Sequence, residues 1–272
     1  LKLNTPRIFA VNETQKIYIQ EYLGSLTLSE VIAGEDLSEN VRNLVKQTLQ
    51  KLFILQKNTA GKIDYTQTFE YEKYDELPVT HDLYYFKNFL VDVLELEYHR
   101  SSLLKEFKKI AALVENVQPK GLMIRDFQAR NIMVNDHGDI SFIDYQTAMH
   151  GPLMYDVISF LFQAKANFPE YFTTEMLDYY ISFFENKEEQ SELKKSIAPM
   201  KLMRFLQVLG AYGFRGIIQR KPHFLASLAK GIDNLYQLSE SWNEMKNFPE
   251  LQQLIVQLKS DATRKKISEL TH

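Results

Sequence analysis

Residues 122–144, Leu-Met-Ile-Arg-Asp-Phe-Gln-Ala-Arg-Asn-Ile-Met-Val-Asn-Asp-His-Gly-Asp-Ile-Ser-Phe-Ile-Asp, limit the fold more than any other stretch of the chain. Two short apolar runs, 132–134 and 140–143, flank Asn135-Asp136-His137-Gly138-Asp139. The inner residues are turn formers, and Gly138 is free to take positive φ, so the stretch predicts a β-hairpin with a short loop. Chain reversal brings the outer ends of the two strands together. Asn131 begins the first strand and Asp144 follows the second, so the two meet although they lie thirteen positions apart. Asp126 sits on the entering loop, five residues before Asn131. An amide oxygen and two carboxylates at one hairpin mouth suit a hard cation that keeps some water, such as Mg²⁺. His137 and Asp139, at the far turn, read as solvent residues.

The order Asp126, Asn131, hairpin, Asp144 resembles the catalytic core of the protein-kinase-like fold. Tyr145 stands where those enzymes carry Phe or Trp, and no Gly follows. The run from Gly151-Pro152 through Tyr155-Asp156-Val157 is similar to the segment after the metal-binding Asp in aminoglycoside phosphotransferases and choline kinases. Arg125-Asp126-Phe127 and Tyr155-Asp156-Val157 together resemble bacterial kinases of cell-wall amino sugars. Arg204, Gln207 and Gly210, in Met-Arg-Phe-Leu-Gln-Val-Leu-Gly, extend that resemblance.

The resemblance implies an α+β, protein-kinase-like fold with a mostly helical C-lobe, a catalytic β-hairpin and a truncated N-lobe. Residues 1–24 would be the remnant of N-lobe strands and the hinge, and 25–272 the C-lobe with the catalytic loop and substrate site. It implies an ATP- and Mg²⁺-dependent phosphotransferase acting on a hydroxyl of a small molecule, a sugar or amino sugar. The alternative is a non-catalytic nucleotide-binding relative with a regulatory or assembly role. In the catalytic reading Asp126 faces the acceptor hydroxyl, and Asn131 and Asp144 hold Mg²⁺. Gln20, Glu21 and Tyr22 hold the adenine edge, and Gln128 reaches the nucleotide. Arg125 and Asp156 support the loop, Asp156 by accepting from backbone amides of residues 125–127. Arg130, Arg204 and Gln207 are the substrate candidates. A protein kinase is disfavoured, since no Ala-Pro-Glu segment follows Asp144.

Two departures stand out. The family's loop-bracing His falls at Ile124, whose side chain makes no hydrogen bonds. No Gly occurs before Gly24, and neither Lys2 nor Lys16 has the Val-Ala-x-Lys strand context. The phosphate-clamping half is therefore expected upstream of Leu1, or absent.

A net charge of −3 argues against a dedicated nucleic-acid surface. The chain has no Cys, hence no disulfide and no thiolate metal site, which fits the cytoplasm. No stretch approaches the roughly 18 apolar residues of a membrane helix, and the oligomeric state stays open.

Strands are expected over 7–11 and 16–20, and a capping box at Thr27–Glu30 opens a short helix. Ser38 caps a helix over 38–57. Residues 58–80 read as an irregular connection carrying Tyr65, Phe69, Tyr71 and Tyr74. Helical spacing follows over 81–97, 101–116, 153–165, 171–186, 189–220, 223–240 and 248–259, with Pro199 starting or kinking the 189–220 segment. The charged run 259–272 is expected to fray. Gly210, Gly213 and Gly216 imitate a nucleotide loop, but they sit in an apolar helical stretch and read as close helix packing. His81 and His99 receive no metal role.

Overall fold

The computed structural model describes residues 3–271, so Lys2 lies outside it. The strands β1 (Ile8–Val11) and β2 (Tyr18–Gln20) form an antiparallel ribbon exposed on both faces. β3 (Leu26–Thr27) passes into α1 (Leu28–Glu35) through the capping box: Thr27 Oγ1 accepts from the Glu30 N–H, and the Glu30 carboxylate accepts from the Thr27 N–H at 2.7 Å. Ser38 Oγ caps α2 (Glu39–Thr59) by accepting from the Val41 N–H. There follow α3 (Glu76–Phe86), α4 (Arg100–Glu115), β4 (Lys120–Met123), β5 (Ile132–Val134), β6 (Ile140–Phe142) and β7 (Met149–Pro152). The rest is helical: α5 (Leu153–Leu161), α6 (Glu170–Ile181), α7 (Lys187–Tyr212), α8 (Pro222–Ser241), α9 (Pro249–Lys259) and α10 (Asp261–Thr271). Among the described residues, no helix is long and apolar enough to cross a membrane.

The chain forms two compact units. One takes the chain up to Glu72 together with Pro119–Lys194; the other takes Lys73–Gln118 and everything from Lys195 onward. The first unit holds the hairpin. β5 and β6 pair with Ile132 opposite Phe142, Met133 opposite Ser141 and Val134 opposite Ile140. β3 pairs with the other edge of β5, and the Phe142 N–H donates to the Asn4 carbonyl at 2.7 Å. The turn closes through Gly138, at φ 76°, a conformation that needs no Cβ. Helix α2 clamps that turn. The Gln47 side chain donates to the Gly138 carbonyl at 3.1 Å and accepts from the Ile140 N–H at 2.9 Å, while Lys51 Nζ donates to the Ile140 carbonyl at 3.0 Å. His137 and Asp139 are exposed.

The pairing of β4 with β7, Met123 opposite Met149 and Lys120 opposite Pro152, is absent from the sequence expectations. Each strand is four residues long and contains Gly, and the partner lies some 30 residues away, so no local pattern announces it. β7 runs directly into α5, all nine residues of which are buried.

In the second unit α3 begins at Glu76 rather than 81. Asp75 caps it, and Pro78 falls in the first turn, where a missing N–H costs nothing. It also ends earlier than expected, passing at Lys87–Val91 into a π-helical turn instead of running to 97. Glu106, 5% exposed, accepts from the Glu250 and Leu251 N–H groups, both at 2.9 Å, and so caps α9 with a negative charge. Pro199 lies inside α7 without ending it. Through Thr271, the last described residue, the C-terminal run is helical where fraying was expected. It forms α10, held by the buried Thr263 and by the Lys266–Glu95 ion pair; its charges lie on a solvated face, and charge alone says nothing about whether a helix docks.

The glycines after 209 are packing residues. A Cβ at Gly213 would stand 2.1 Å from the Phe89 carbonyl oxygen, and one at Gly210 would stand 2.8 Å from the Phe86 nitrogen. These obstacles are backbone and cannot rotate away. Gly213→Ala is expected to destabilise the protein by about 3 kcal/mol, read as a lower urea midpoint. An unchanged midpoint would contradict the packing assignment.

Candidate active site

Between β4 and β5 the chain alternates. Ile124, Phe127, Ala129 and Asn131 are buried, while Asp126, Gln128 and Arg130 turn toward the outside. The Phe127 ring packs on Phe142 at 4.9 Å and Phe160 at 5.8 Å, fixing the loop to the hairpin and to α5. Burial of these side chains, worth about 2 kcal/mol each, holds the polar residues between them in place.

The Asp126 carboxylate is shared. One oxygen accepts from the Gln128 side-chain amide, and the other from Arg130 at 2.6 Å. Asn131, 7% exposed, spends its NH₂ on Asp126, donating to the backbone carbonyl at 2.9 Å and to the carboxylate at 3.4 Å. That orientation leaves the Asn131 amide oxygen on the opposite side of its side chain. At the hairpin mouth the Ile143 N–H donates to the Asn131 carbonyl at 3.0 Å, which seats Asp144 one residue beyond. Asp144 is exposed and left-handed, with φ 66°. Among the described residues, no group of three or more His, Cys, Asp or Glu gathers around a metal-sized space. The mouth offers a different donor set, one amide oxygen and carboxylates without nitrogen or sulfur, and that chemistry fits Mg²⁺.

Behind the loop stands Asp156, fully buried in the first turn of α5. Its two oxygens accept from the Ile124 N–H at 2.7 Å and the Arg125 N–H at 2.9 Å. The Ile124 carbonyl accepts from Thr147 Oγ1 at 3.2 Å. The backbone at Ile124 is therefore bonded although its side chain is apolar. Burial, with the Asp156 carboxylate nearby, pushes the Tyr180 hydroxyl well above its usual pKa; it stays protonated and donates to Gln56 Oε1 at 2.5 Å. Arg125 has φ 71° and sends its guanidinium to Glu70 at 2.9 Å.

The remaining candidates stand on other elements. Gln20 ends β2, the Glu21 N–H donates to the Arg7 carbonyl at 2.8 Å, and Tyr22 is 80% exposed. Arg204 and Gln207 belong to α7 in the second unit and bond each other at 2.8 Å. Sequence reasoning missed Glu70, Thr147 and Gln163, whose side-chain oxygen accepts from the Ala129 N–H at 3.3 Å. These are single polar residues, far from the loop in sequence, with no motif to single them out.

Residues 2–193 match the phosphotransferase enzyme family. The chain is 22% identical over 270 residues to an N-acetylmuramate/N-acetylglucosamine kinase of Neisseria meningitidis, covering 95% of this chain and 77% of the relative. It is 27% identical over 172 residues to a protein of the same description from Pseudomonas aeruginosa, covering 62% of this chain and 47% of the relative, about half its length. In fold it is similar to the choline kinase LicA of Streptococcus pneumoniae, with a TM-score of 0.55 at 13% identity over 86% of this chain and 75% of that one. It is similar too to a thermostable mutant of aminoglycoside phosphotransferase APH(4)-Ia solved with ADP and hygromycin B, with a TM-score of 0.55 at 17% identity over 89% of this chain and 78% of that one. The α+β architecture is thus that of the protein-kinase-like fold.

Proposed function

The chain belongs to the phosphotransferase enzyme family, and from that premise we propose that it transfers the γ-phosphoryl group of ATP to a hydroxyl of a small molecule, an amino sugar of the bacterial cell wall. The observation that carries this reading is the outward-facing carboxylate of Asp126, tied through the Asn131 amide to the hairpin mouth that ends in Asp144. The relatives described as N-acetylmuramate/N-acetylglucosamine kinases support the acceptor class.

Phosphoryl transfer demands positioning and charge neutralisation more than covalent work by the protein. Asp126 receives the acceptor hydroxyl and directs its proton. Gln128 and Arg130, which donate to that carboxylate, yield to the hydroxyl and turn to the anionic oxygens of the phosphates. Asn131 and Asp144 would hold Mg²⁺, which when bound neutralises charge on the nucleotide phosphates. Gln20, Glu21 and Tyr22 take the adenine edge in this reading.

Coupled ADP release, measured on the full-length protein with Mg²⁺ and ATP, tests the reading. Turnover is expected with N-acetylmuramate or N-acetylglucosamine, at kcat/KM at least about 100-fold above that with choline. Nucleotide-induced thermal stabilisation without turnover on any acceptor would replace it with the non-catalytic binding role.

A further inference from the structure

We propose that Glu70 is a positioning residue for phosphoryl transfer, its bond to Arg125 fixing the turn that aims Asp126. The proposal rests on the reading of Asp126 given above and extends it to a loop to which that reading assigns no role.

Arg125 precedes Asp126 and holds a left-handed backbone, φ 71°. A non-glycine residue pays for that conformation only when its surroundings over-determine it. The Asp126 N–H donates back to the Ile124 carbonyl at 3.0 Å, so the turn is tight around Arg125. Asp156 grips the N–H groups of Ile124 and Arg125, which lie before the Arg125 φ bond and leave rotation about it unheld. The Arg125 side chain, borne on the Cα beyond that bond, holds φ, and the Asp126–Ile124 bond then closes the turn at ψ. The Arg125 side chain, 11% exposed, meets the carboxylate of Glu70, 38% exposed, at 2.9 Å, a charge-assisted bond shielded on the Arg125 side and open to solvent on the Glu70 side.

A carboxylate can position only if it is itself fixed, and the segment around Glu70 is. The Glu72 carbonyl accepts from the His150 N–H on β7 at 2.9 Å. The Tyr65 ring meets the His150 ring edge-on at 5.1 Å. The Thr68 hydroxyl bridges the Tyr65 and Tyr71 carbonyls at 2.6 and 2.8 Å. All of these groups lie in the unit that carries the catalytic loop. With Ile124 in place of the family's bracing His, the brace comes from outside the loop, through Asp156 and Glu70. An ordinary surface ion pair would contribute little; this one matters through geometry, because a displacement of about 1 Å at a reacting group can cost 100-fold in rate.

The test compares Glu70→Gln, Glu70→Asp, Arg125→Lys and the double variant Glu70→Gln/Arg125→Lys with the parent, and takes Glu72→Gln as the same charge change two residues away. Glu70→Gln is expected to lower kcat about tenfold with both KM values within about twofold, and Glu70→Asp to regain part of the loss. Glu72→Gln should match the parent, and the double variant should be no slower than Arg125→Lys alone. Parental kcat in Glu70→Gln, an equal loss in Glu72→Gln, or additive losses in the double variant would overturn the proposal. Amide hydrogen exchange over residues 121–130 supplies a readout that needs no turnover. Glu70→Gln should speed exchange there, and unchanged exchange would also overturn the proposal. A parent that turns over no acceptor yet shows this exchange change would sink the kinase reading and leave the Glu70 brace standing.

Discussion

Replacing Asp126 with alanine is expected to lower kcat by about three orders of magnitude, the middle of the range for losing a positioned proton acceptor. The melting temperature should stay within about 2 °C of the parent, because the side chain is partly exposed and removing such a group rarely costs much stability. The second expectation has a structural basis. The Asp126 carboxylate bonds Gln128 and Arg130, both of which can turn to water. The strongest link from Asp126 to Asn131 runs through the backbone carbonyl at 2.9 Å, which alanine retains. The metal candidates should therefore keep their places, and the KM for nucleotide should move by no more than about threefold, the pattern of an interaction made mainly in the transition state. ADP-release kinetics and a thermal melt on the same preparation decide it. An alanine variant as active as the parent would remove Asp126 from the chemistry.

How much of this could be read from the residues follows from how local each feature is. The hairpin was legible because its strands, its turn formers and its glycine lie within thirteen positions, and the Ile143–Asn131 bond that closes its mouth follows from antiparallel pairing alone. The capping box at Thr27 and Glu30 and the Ser38 cap were legible for the same reason. The β4–β7 pairing was not. Its strands are short, and one ends in Gly-Pro, which by itself reads as a turn. The start of α3 was misplaced because Pro78 looked like a breaker, although a first-turn proline fits a helix capped by Asp75. The polar support of the catalytic loop was the least legible part. Glu70 lies 55 residues from Arg125, and Gln163 lies 34 from Ala129. Nothing in a lone Glu or Gln marks such a partner before the chain has folded.

The other large effect is expected at Asp156, where the cost falls on stability and rate together. Its carboxylate is fully buried, and each oxygen takes one backbone N–H, from Ile124 and Arg125. Alanine removes both acceptors and leaves the buried Ile124 and Arg125 with unpaired N–H groups beside the first turn of α5, a helix whose residues are all buried. At roughly 1–3 kcal/mol for each orphaned buried donor, the loss is about 4 kcal/mol. In a chain of this size that corresponds to about 10 °C in melting temperature. Asn at the same position keeps one acceptor oxygen but points an NH₂ at the other donor, so it should recover less than half of the loss. Well below the melting transition, kcat of Asp156→Ala should still fall, since the backbone entering the Arg125 turn is no longer held. The comparison with Glu70 separates two kinds of support: Glu70→Gln should change kcat and local exchange while leaving the melt nearly unmoved, whereas Asp156→Ala should change all three. An Asp156→Ala protein melting within a degree of the parent would mean that the Ile124 and Arg125 amides find other partners, and that the loop's brace lies elsewhere.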